Sequence, residues 1–62
     1  MLQKLIKARA EKVAQMQSLL DGASAENRDL SAEETASYDA LMAEQEGLKT
    51  KIARAEAQEK LN

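Results

Sequence analysis

Sixty-two residues with no Cys, no His and no Pro make at most one small domain and exclude the usual staples of small domains, disulfides and zinc. Nine basic against eleven acidic residues leave a net charge of −2 and a pI near 5.0, which argues against general nucleic-acid binding, where a basic excess on one face is the rule. With no group that titrates near neutral pH and too little chain to enclose a dry pocket, neither an enzyme nor a metal or other cofactor is expected.

Two Gly and one aromatic residue among Ala, Glu, Leu, Lys and Gln give a composition of strong helix formers, so the fold class is all-α. The first helix is expected over about 2–21. Leu2, Leu5, Ile6, Val13, Met16, Leu19 and Leu20 recur at three- and four-residue steps and fall on one broad face, which must be covered. Asp21-Gly22 reads as its end, with Gly free to take the left-handed conformation that closes a last turn. The turn is expected over about 22–31, a polar stretch with no apolar stripe.

The second helix is expected over about 32–60. Ser31-Ala32-Glu33-Glu34 matches a capping box, in which the Ser31 hydroxyl accepts from the backbone N–H of Glu34 while the Glu34 carboxylate accepts from the N–H of Ser31. From there Tyr38, Leu41, Gln45, Leu48, Ile52 and Ala55 step 3-4-3-4-3, the spacing of a coiled-coil seam. Glu44, Lys49, Lys51 and Glu56 flank that seam with charges of both signs, and Gly47 falls on the outer face.

A polar connection of about ten residues suits an antiparallel hairpin with coiled-coil-like packing, the second helix longer by about ten residues. If facing residue numbers sum to about 57, Leu19 meets Tyr38, Met16 meets Leu41, Leu5 meets Ile52 and Leu2 meets Ala55. Arg9 and Lys12 then lie close to Gln45 and Leu48, so Arg9 must snorkel, find a carboxylate such as Glu44 or hydrogen-bond Gln45. Arg54 to Asn62 would project past the hairpin as a connector.

Charge is distributed in blocks. Residues 1–20 carry four bases and one acid, residues 21–46 one base and eight acids, and residues 47–62 four bases and two acids, a pattern suited to docking between helices or copies. No apolar run approaches the roughly 18 residues needed to span a bilayer, and an intracellular protein is the expectation. Glu26, Asp29, Glu33 and Glu34 lack the spacing of a calcium loop and read as capping and turn chemistry. The basic residues of the first helix scatter around its circumference, so neither nucleic acid nor a membrane is expected as a partner, although its apolar arc would suit a lipid interface if left unpaired. Tyr38, Met1, Met16 and Met42 read as packing residues.

The Asn27-Arg28-Asp29-Leu30 turn, the capping box behind it, Tyr38-Asp39-Ala40-Leu41, Glu44 through Ile52 and the opening Leu2 to Ala10 together resemble the N-terminal scaffolding segment, or delta domain, of tailed-bacteriophage major capsid proteins. The likeness covers almost the whole chain. It implies an internal scaffold whose copies cluster beneath each capsomer of the immature procapsid in the host cytoplasm, tied to the capsid shell domain of the same protein and commonly removed by a maturation protease. It carries Tyr38, Leu41, Leu48 and Ile52 as packing residues and Ser31 with Glu34 as the cap. The expected partners are thus other copies of the chain, and the expected function is non-enzymatic assembly by weak helix association. A general coiled-coil dimerisation or adaptor module is the alternative.

Overall fold

Sequence periodicity and capping chemistry produce two helices, α1 (Leu2–Ala25) and α2 (Ala32–Leu61), in a computed structural model that describes residues 2–61. They lie antiparallel against each other as a hairpin, 50 × 16 × 12 Å overall. No strand occurs among the described residues. The second helix is the longer, 30 residues against 24.

The first helix does not stop at Asp21-Gly22. It runs one turn further to Ala25, so the connection shrinks to residues 26–31. Gly22 is an ordinary helical residue without positive φ, and a Cβ placed there would meet nothing within 4 Å. The left-handed position belongs to Asn27, at φ 58°. Its N–H donates to the Ser24 carbonyl at 3.0 Å and the N–H of Arg28 donates to the Ala23 carbonyl at 3.0 Å, the paired bonds of a Schellman motif. Asn tolerates this conformation better than other residues with a side chain. The extra turn has a packing reason, because it carries Ala23 onto the contact face seven residues beyond Met16. Ala23 is only 3 % exposed.

The second helix begins as its capping box directs. Glu34 N–H donates to Ser31 Oγ at 3.2 Å, Ser31 N–H donates to Glu34 Oε1 at 2.9 Å, and the Ser31 carbonyl accepts the first helical bond from Thr35 at 2.8 Å. The expected ten-residue overhang is reduced to six. Arg54 and Ala55 still lie beside Leu2 and Leu5, and the overhang is the exposed stretch 56–61. Leu61 is 80 % exposed, and Met1 and Asn62 lie outside the described residues.

Candidate functional site

Two helices can cover each other along one seam only, and the contact seam selects a subset of the apolar residues. On α1 it comprises Leu2, Leu5, Arg9, Lys12, Met16, Leu19 and Ala23, stepping 3-4-3-4-3-4, and all are half-buried or buried. On α2 it comprises Glu34, Tyr38, Leu41, Gln45, Leu48, Ile52 and Ala55. Among the described residues, only Met16, Ala23 and Gln45 reach full burial. One buried residue in three is therefore polar.

That residue anchors a polar layer halfway along the rod. Arg9 Nε donates to Gln45 Oε1 at 3.1 Å, and Gln45 Nε2 donates to Glu46 Oε1 at 3.0 Å beside Met42 Sδ at 3.2 Å. Gln45 thus avoids the cost of about 1–3 kcal/mol that a buried, unpaired amide would carry. Lys12 Nζ lies 2.7 Å from Glu44 Oε2, an exposed ion pair worth less than about 1 kcal/mol. The numbers of these two pairs sum to 54 and 56, close to the 57 expected from the seam.

At the turn, Arg28 ties the connection to α2. Its NH1 and NH2 donate to the two Glu34 carboxylate oxygens at 2.6 and 3.2 Å. Its Nε and NH2 also reach Glu26 Oε2, at 3.2 and 2.9 Å, and NH1 donates to the Asp29 carbonyl at 3.0 Å. The guanidinium and the Ser31 N–H together hold the Glu34 carboxyl well below its usual range, at about 2, while the two carboxylates raise Arg28 further above its already high value. Glu26 and Glu34 face a cation that belongs to the chain, and among the described residues no cluster of metal-ligating side chains forms.

The sequence-predicted packing residues divide. Leu2, Leu5, Met16, Leu19, Tyr38, Leu41, Gln45, Leu48, Ile52 and Ala55 come together on the contact seam. Ile6, Val13 and Leu20 do not, and remain 48, 44 and 40 % exposed. The broad arc expected of α1 is in fact two adjacent faces about 100° apart. Only one meets α2. The other runs Ile6, Ala10, Val13, Gln17 and Leu20, stepping 4-3-4-3, and its central part opens on a shallow groove of about 540 Å³ bounded on the α2 side by Ile52. The sequence expectation missed Ala23 and the clamp of Arg28. A continuation of the Met16-Leu19 spacing by four residues would have found the first, and an Arg three residues ahead of a capping Ser was the available signal for the second.

No described helix is long and apolar enough to cross a membrane. No family model, curated protein or solved structure matches the chain.

Proposed function

We propose that the hairpin is a non-enzymatic assembly module that works by weak, reversible association of helices, and that its setting is the interior of an immature viral shell. The observation that carries the first part is the thinness of its own core. Three buried residues in a rod of sixty stabilise a fold poorly when isolated, and a small scaffold without disulfide or metal gains most from further copies. The setting rests on the resemblance to capsid scaffolding segments, in the turn Asn27 to Leu30, the Ser31–Glu34 cap and Tyr38-Asp39.

The mechanism is one of effective concentration. A pairwise contact too weak to hold two free copies together at micromolar concentration becomes decisive when many copies are tethered to one growing shell at about millimolar local concentration. Weakness also lets the module leave once the shell has closed. The exposed pairs and half-buried seam suit this, because they give orientation without a large hydrophobic commitment.

The test is to express the full-length gene that encodes this chain with and without residues 2–61 and to image the particles. Closed shells of one size with the hairpin and aberrant or absent shells without it support the assignment. Regular shells from the truncated protein contradict it, and stable soluble dimers with no shell-forming tendency favour the dimerisation or adaptor module.

A further inference from the structure

The face of α1 that carries Ile6, Val13 and Leu20 is left without a partner by the hairpin, and spacing and charge say what covers it. A compact monomer of 6.8 kDa exposes roughly 4000 Å². This chain exposes 4780 Å². The excess belongs to the shape of a rod 50 × 16 × 12 Å, which leaves this face of α1 open along several turns. An apolar heptad-spaced ridge over this length matches a helix of the same kind, since only another heptad ridge keeps register with 4-3-4-3 spacing along several turns.

Charge selects the partner and its direction. In the hairpin the half nearer the turn, residues 14–44, holds one base and seven acids. The half nearer the chain termini, residues 2–13 and 45–61, holds eight bases and four acids. The rod is therefore polarised along its length. Two copies side by side in the same direction would set basic half on basic half and acidic on acidic, whereas antiparallel copies set each basic half on an acidic one.

We propose that a second copy of this chain docks antiparallel on the Ile6/Val13/Leu20 face of α1, about a two-fold axis between Val13 and Ala14. This deepens the assembly function above and rests on it. With facing residue numbers summing to about 27, Ala10 of one copy faces Gln17 of the other, and Ile6 against Leu20 and Val13 against Val13 fall within one residue of level. Lys7, Ala14 and Asp21 run along one edge of the face at heptad spacing. In the antiparallel arrangement this edge meets itself reversed, so that Lys7 comes within one residue of level with Asp21 twice and Ala14 with Ala14. The groove bounded by Ile52 receives the partner's ridge, and the interface is isologous and closed.

The chain has no native Cys, so single Cys variants report the pairing directly. Val13→Cys is expected to form an intermolecular disulfide readily on mild oxidation of the full chain, and Ile6→Cys or Leu20→Cys alone to do so poorly. A mixture of the Ile6→Cys and Leu20→Cys chains should cross-link efficiently as a heterodimer. Equal self-cross-linking at all three positions means a parallel pair and overturns the proposal. All of these positions are exposed, so the hairpin itself is preserved, and circular dichroism of each variant checks that it is.

A charge exchange gives an independent readout by sedimentation. Lys7→Glu and Asp21→Lys are each expected to weaken association at low salt about tenfold, and the double variant Lys7→Glu/Asp21→Lys to recover most of it. Loss without recovery in the double variant overturns the antiparallel geometry. If the unsubstituted chain dimerises while Val13→Glu leaves that dimer intact, the surface is elsewhere and the assembly function still stands. A chain of monomer mass at every concentration up to about the millimolar level of a tethered array overturns both.

Discussion

At the turn both helix ends are closed by their own residues, whereas the described residues at the opposite end of the rod are held only by half-buried side chains. Asn27 and Arg28 satisfy the last carbonyls of α1, Ser31 and Glu34 satisfy the first donors of α2, and Glu33 and Glu34 stand at the positive pole of its dipole. At the other end α1 starts with no acid in its first turn and with Lys4 nearby, the wrong sign for that pole. Leu2, Leu5 and Ala55 are only half-buried there. Local closure and tertiary burial thus coincide at the turn, whereas among the described residues of the other end burial is only partial.

The largest test of that contrast is a pair of truncations. Met16→Ala, at a residue 7 % exposed, should cost about 2–3 kcal/mol by loss of packing and the cavity left behind, enough to unfold much of a domain this small. Leu5→Ala, half-buried towards the open end, should cost only about 1 kcal/mol. Urea melts of the two variants measure the difference, and equal costs would mean that the rod is uniformly held.

Next in size are the changes at the turn. Asn27→Ala places a Cβ-bearing residue without a compensating polar group in the left-handed region and should cost about 1 kcal/mol. Asn27→Gly should be neutral or slightly stabilising. Gly22→Ala has the opposite sign. In mid-helix with open space around it, this substitution should stabilise by about 0.5–1 kcal/mol, whereas it would destabilise if Gly22 were the left-handed end of the helix. Thermal melts of the two Ala variants therefore locate the end of α1.

The smallest effect is one of pH. Because the folded-state value of Glu34 is lowered to about 2 from 4.5, its contribution to stability is fully present above about pH 4.5. It is lost progressively as pH falls through 2. Titration of the Glu34 carboxyl carbon by nuclear magnetic resonance should give a midpoint near 2. Arg28→Met should move that midpoint upward, because it removes the first and largest cause of the lowering.

Short-range chemistry was legible in the sequence and competition between sites was not. The capping box and the Tyr38-to-Ala55 seam depend on spacing within one helix, and both stand in the structure where their residues put them. Gly22 and Asn27 are both able to end a helix, and local preference favours Gly. The choice was decided by the burial of Ala23, which depends on α2. In the same way Ile6, Val13 and Leu20 carry the periodicity of a packed face, but a single partner helix covers only one seam, and Arg9 and Lys12 hold their places on it through Gln45 and Glu44. Hydrophobic period alone does not separate a face that packs within a chain from one that remains for another.

The most direct measurement of whether this hairpin depends on further copies is its melting midpoint across a range of chain concentrations at fixed pH and salt. Association of folded copies raises the midpoint as concentration rises, through mass action on the native state alone, and that rise is the predicted result. A midpoint that stays constant, with the same sharp transition at every concentration, would show that two helices suffice and would contradict the account.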